Sequence, residues 1–256
     1  MANTVIVTGR GGTGKSTFAA LAARSLGSAP LLIDADPDQS LAQLLGVDLA
    51  EKGINTISDA LAMLQKPSSS KAKELASMSL PEKIDYLLNV SCLYESPRFD
   101  LITLGVHWTR GCYCAPNSIL QSVIPELSKN YACTIVDSPA GLEHVNRRIV
   151  HNVDDIFVLL DPSTKALRNA RLVTEIAGAI GMSYRHLYLV GNYRFTAAAE
   201  QRLGDMDGTT YLGRVEPDET VETFDWSGRS LMDLPEDSTA VRSVAALMAM
   251  AGYGAD

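Results

Sequence analysis

The chain is expected to fold as a single α/β domain over residues 1–256. The expected architecture is a mostly parallel sheet of roughly seven strands covered by helices on both faces. Two observations predict it. First, short β-branched or leucine-rich runs alternate with helical stretches: Val5 to Thr8, Leu31 to Ile33, Leu101 to Leu104, Thr134 to Val136, Ile156 to Leu160, Leu187 to Val190, and a last one near Tyr211-Leu212. Continuously apolar strands of this kind are buried on both faces. Second, the opening strand, Thr4 to Thr8, runs straight into Gly9-Arg10-Gly11-Gly12-Thr13-Gly14-Lys15-Ser16-Thr17, which has the spacing G-x-x-x-x-G-K-[ST].

Each element then has a reason. Glycines let backbone N–H groups turn inward around phosphate oxygens, and a helix starting near Lys15 aims its positive dipole end at the same anions. The loop therefore predicts a P-loop nucleoside triphosphate site: Gly11, Gly12, Thr13, Gly14 and Thr17 form the cradle, Lys15 reaches the β and γ phosphates, and Ser16 holds Mg²⁺. The helix that follows is expected over the Ala/Leu-rich stretch Phe18 to Leu26.

The second strand ends in Asp34-Ala35-Asp36-Pro37-Asp38-Gln39-Ser40. Hydrolysis needs a carboxylate that orients a water for in-line attack, and Asp36 is assigned that role; Asp38 or Ser40 is expected to cap the helix Leu41 to Leu45. Residues 66–83, with Pro67-Ser68-Ser69-Ser70, read as a polar excursion with short helices. After Thr134-Ile135-Val136 comes Asp137-Ser138-Pro139-Ala140-Gly141. Asp137 is expected to hold Mg²⁺ through water, and the Gly141 backbone to sense the γ phosphate. Asn192, after the strand ending at Gly191, can offer an amide donor and acceptor to the adenine edge. The stretch Thr239 to Gly252, Ala- and Met-rich with Arg242 as its charge, reads as a core-packing helix.

Composition narrows the partners. A net charge of −8 disfavours broad contact with nucleic acid phosphates, and the last helix is no basic membrane anchor. Four cysteines, an opening without a basic and apolar leader, and no apolar run of about 18 residues point to a reducing, cytoplasmic setting.

In the order of these motifs the chain resembles the deviant Walker A ATPases of the MinD, ParA and nitrogenase iron protein group. The resemblance spans essentially the whole chain and adds Pro217-Asp218-Glu219 as the loop beside the adenine. It implies ATP hydrolysis to ADP and phosphate by a homodimer that sandwiches two ATP molecules. A basic residue early in the loop touches the phosphates held by the other subunit, and here that position is Arg10, which presents a planar fork in place of a compact ammonium. The alternative is that Arg10 pairs with an acid of its own subunit.

Gly111-Cys112-Tyr113-Cys114-Ala115-Pro116 separates the branches of this group. In an extended segment residues i and i+2 project to the same side, so Cys112 and Cys114 can present thiolates to one point. Two subunits meeting about a two-fold axis would complete a tetrahedral site suited to Ni²⁺, Zn²⁺ or Cu⁺; a pair of reduced loop cysteines is the alternative. The loop and the helix after it, Asn117 to Leu127, resemble the nickel-insertion ATPases of the CooC and AcsF type, as does Ser138 to His144 with Glu143 and His144. That branch implies a metallochaperone for carbon monoxide dehydrogenase or acetyl-CoA synthase. The alternatives are a MinD/ParA-like positioning ATPase and an iron–sulfur reductase of the nitrogenase iron protein type. The latter carries a cysteine where this chain has Ala140. Cys133 is expected in the core, Cys92 is unassigned, and His107 reads as a structural hydrogen-bonder.

Overall fold

The computed structural model describes residues 3–65, 75, 77–105, 125–139, 153–203 and 206–254. Eight strands form one sheet in the order β3-β4-β2-β5-β1-β6-β7-β8. They are β1 (Asn3–Gly9), β2 (Leu31–Asp34), β3 (Tyr94–Glu95), β4 (Asp100–Thr103), β5 (Cys133–Asp137), β6 (Asp155–Leu160), β7 (His186–Gly191) and β8 (Thr210–Arg214). All neighbours pair in parallel except β3, which lies antiparallel on β4. The expected strands are all present, and β3 is the addition that raises roughly seven to eight. At two residues on an edge it is too short for a periodic signal.

Alternation along the strands feeds two cores. Ile6, Leu31, Ile33, Ile156, Val158 and Leu160 pack on one face, whereas Val5, Val7, Leu32, Phe157 and Leu159 pack on the other. The first core is closed by α3 (Ile57–Gln65) and α5 (Thr164–Ala179), the latter presenting Ala166, Ala170, Val173 and Ala177. The second is closed by α1 (Lys15–Arg24), α2 (Ser40–Leu44) and α8 (Thr239–Met250). Among the described residues the other α-helices are α4 (Leu80–Leu87), α6 (Ala197–Leu203) and α7 (Glu219–Trp226). Small residues on α1, Ala19, Ala20, Ala22 and Ala23, let it lie close to the sheet, where Phe18 meets Phe157 at 5.5 Å between ring centroids.

Helix α8 packs against α1, as its composition predicts. Tyr253 beyond it is buried, and its hydroxyl donates to the buried Asp155. Cys133 lies in the core as expected, and Cys92 joins it; burial pushes both thiols up to about 12, so neither is a reactive thiolate. Within the polar excursion, 66–74 and 76 lie outside the described residues, and its last part enters α4. Among the described residues no helix is long and apolar enough to cross a membrane.

Candidate functional site

The C-terminal ends of β1, β2, β5, β6 and β7 converge on one rim of the sheet, where open α/β sheets bind ligands. Strand β1 ends in Gly9 at φ 145°, where an added Cβ would stand 2.6 Å from the Leu159 carbonyl oxygen of β6. Only glycine lets the chain leave the strand this close to its neighbour. Gly14 at φ 87° opens α1, which begins at Lys15, where the phosphate-loop spacing places a helix start. The loop closes on Arg10: its carbonyl accepts from the Thr13 hydroxyl at 2.8 Å and from Lys15 Nζ at 3.3 Å.

A cavity of about 380 Å³ lies over this loop, lined by Gly11, Gly12, Lys15, Ser16, Thr17 and Asp36 among others. A second, of about 420 Å³, adjoins it through Gly14 and Thr17 and reaches Phe18, Asn192, Pro217 and Asp218. Anionic groups suit the first, which is floored by loop N–H groups and a helix N-terminus. A planar ring suits the second, whose lining is mainly apolar. Asn192 is buried beside the second cavity, and its side-chain oxygen accepts from the Arg194 N–H at 3.0 Å.

Two acidic groups end adjacent strands on this rim of the sheet. Asp34 and Asp137 are opposite each other in register, and both are wholly buried. Burial pushes the Asp34 carboxyl up to about 8, the Asp137 charge adds to this, and the N–H groups of Ala42 and Asp36 oppose it. Burial likewise carries Asp137 up to about 7, against the Ser16 hydroxyl and the Lys15 ammonium. The same burial holds Lys15 below its ordinary value, while Asp137 and Asp36 draw it back up. Among the described residues, neither Asp137 oxygen has a partner of full hydrogen-bond geometry. A buried carboxylate left this way, beside the Ser16 hydroxyl, is the donor set that Mg²⁺ takes at a triphosphate, so the residues present fit that ion.

Asp36 is half-buried at the edge of the same cavity, its carboxylate accepting from the Asp38 N–H at 3.1 Å. Capping of α2 differs from expectation. Neither Asp38 nor Ser40 caps it; Gln39 occupies the cap position without a side-chain bond. Instead Asp34 accepts from Leu41 N and Ala42 N at 3.1 and 3.2 Å. A cap supplied from the preceding strand end leaves no trace in the residues next to the helix.

Arg10 is paired within its own chain, at 3.1 Å from Asp161 and 3.2 Å from the Ser163 hydroxyl. Pro217 and Asp218 do border the second cavity, but their polar atoms are engaged elsewhere. The Pro217 carbonyl accepts from the Thr239 hydroxyl. Asp218 accepts from Thr220 and Ser238 and from Ala240 N, which caps α7 and reaches the first turn of α8. Although burial would raise it, these bonds hold its carboxyl well below the usual carboxylate range. Gly141, Cys112, Cys114, His107, Glu143 and His144 lie outside the described residues.

The chain is similar to known nucleotide-binding proteins. Residues 4–221 match the family described as the CobQ/CobB/MinD/ParA nucleotide binding domain. The chain is 30% identical over 248 residues to an uncharacterised ATP-binding protein of Methanocaldococcus jannaschii, covering 94% of each. It is 28% identical over 254 residues to the carbon monoxide dehydrogenase accessory protein CooC of Rhodospirillum rubrum, covering 96% of this chain and 94% of that one. In fold it is similar to a ParA family ATPase from Chlorobium tepidum, with a TM-score of 0.69, 18% identity, and 96% and 98% of the two chains covered. The chain belongs to the CobQ/CobB/MinD/ParA nucleotide-binding family and is a P-loop ATPase.

Proposed function

We propose that this ATPase is a metallochaperone that binds nickel, or zinc, through Cys112 and Cys114 at a homodimer interface. It supports metal insertion into carbon monoxide dehydrogenase or acetyl-CoA synthase. The observation that carries this reading is the C-x-C pair in a chain that aligns nearly end to end with CooC. The competing reading, a positioning ATPase, draws on the family match, on a septum site-determining MinD 26% identical over 197 residues and on fold likeness to ParA; the acidic charge balance stands against a nucleic acid or anionic membrane surface.

In this reading the loop N–H groups and Lys15 hold the triphosphate; Ser16, and Asp137 through water, would hold Mg²⁺, which would offset phosphate charge. Asp36 orients the water that attacks the γ phosphorus, with ADP as leaving group. Arg10 exchanges Asp161 for the phosphates held by a second copy, and closure of the dimer changes the thiolate site. Metal binding and closure then share one coupling free energy, so each favours the other equally.

The test is equilibrium dialysis against Ni²⁺ and Zn²⁺ with the Cys112→Ala, Cys114→Ala double variant. Metal is expected at one ion per dimer in the wild type and absent in the variant, with ATP binding intact. Undiminished metal in the variant sinks the reading. Sedimentation with DNA or vesicles in the presence of ATP instead supports the competing one.

A further inference from the structure

We propose that Asp34 is a positioning residue for ATP hydrolysis, holding the loop that carries Asp36, and the first turn of α2, against the phosphate cavity. The inference rests on the reading of Asp36 as the residue that orients water.

The geometry is a single buried carboxylate divided between two tasks. One oxygen accepts from Asp36 N at 3.1 Å, the other from Leu41 N and Ala42 N at 3.1 and 3.2 Å. The bond to Asp36 fixes the backbone of the very residue whose side chain lines the cavity. Asp36 repeats the pattern by accepting from Asp38 N, so two successive side-chain turns shape the loop from its buried end outward. The bonds to α2 supply what that helix lacks. It is five residues long, and Gln39, at φ 55°, gives it no side-chain cap. Through α2 the same carboxylate places Ser40, Gln43 and Leu44 along the cavity wall.

The arrangement costs the fold something, which argues for a task. Asp34 lies opposite Asp137 in register, and the two buried acids repel. A loop held by backbone N–H groups can place Asp36 to within the tolerance that in-line attack demands, where a misplacement of about 1 Å costs about a hundredfold in rate.

Asp34→Asn tests this. It keeps the size but turns one acceptor oxygen into a donor that faces N–H groups. Asp34→Glu keeps the carboxyl group and shifts it by one methylene, serving if the first variant does not fold. At saturating ATP, kcat is expected to fall about 10- to 100-fold while affinity for a non-hydrolysable ATP analogue changes by less than about threefold. Amide hydrogen exchange at Leu41 and Ala42 should speed up, with β2 still protected. Unchanged kcat despite lost protection at those amides overturns the proposal; so does affinity falling in parallel with kcat, which marks a merely structural role. Asp36→Ala separates the two layers. If it hydrolyses ATP at the wild-type rate, the underlying reading fails and takes the proposal with it. If it is inactive while the Asp34 variants keep full kcat, only the proposal fails.

Discussion

Strands β2 and β5 lie side by side and end in aspartates that face each other, Asp34 and Asp137. Both carboxylates are fully buried and raised by burial, yet one is hydrogen-bonded to backbone N–H groups and the other, among the described residues, has no partner of full hydrogen-bond geometry. The difference teaches how to tell a buried acid that builds the site from one that serves it. A carboxylate with its acceptor sites filled by the fold has little left to offer a ligand. An orphaned one beside a lysine and a serine is stable in its charged form only when a cation arrives. Asp218 belongs with Asp34 on this scale, although it lines the cavity where a base would sit.

The largest expected effect comes from removing the charge that faces the phosphate cavity. Lys15→Ala leaves Asp36 and Asp137 without their cation, and titration with a fluorescent ATP analogue should show affinity lost by about 100-fold or more. Affinity within a few-fold of the wild type would mean that the loop N–H groups carry the site alone.

A second effect is thermodynamic. Asp34 and Asp137 have native values of about 8 and about 7, above the ordinary carboxylate value. The unfolded chain therefore holds fewer protons between about pH 4 and those values, and ligand-free stability falls as pH rises through this window. Thermal unfolding should show Asp137→Asn losing less stability than the wild type between about pH 5 and pH 8. Parallel pH profiles would contradict the assignment of a buried, unpartnered acid at this position.

The smallest effect concerns Asp218. Asp218→Ala removes a cap from α7 and a bond to the first turn of α8 at once. It should cost about 1–3 kcal/mol, or several degrees of melting temperature, with hydrolysis in the surviving folded protein nearly normal. A large loss of nucleotide affinity without loss of stability would show that its carboxylate contacts the ligand directly.

How legible this was in the sequence depends on where each signal resides. Strands β1, β5 and β6 were readable because both faces are buried, so runs such as Val5-Ile6-Val7 are continuously apolar. Edge strand β3 was not, since Tyr94-Glu95 carries no repeat. The glycines at 9 and 14 announced the phosphate loop because their conformations exclude side chains. Asp36 and Asp137 were found by asking which acids follow strands, a question that cannot tell a filled carboxylate from an empty one. Asp34 therefore passed for part of the run, and the bonds that occupy Asp218 within the fold were not visible. Their roles arise from donors at 36, 41 and 42 for the first and at 220, 238 and 240 for the second, which only the folded chain brings together.

Calorimetric titration of a non-hydrolysable ATP analogue, with and without Mg²⁺, tests the contrast between the two aspartates most directly. The wild type and Asp34→Asn should both gain affinity when Mg²⁺ is added, whereas Asp137→Asn should show about the same affinity with and without it. An equal Mg²⁺-dependent gain in Asp137→Asn would contradict the account, since the orphaned carboxylate would then have no part in holding the ion.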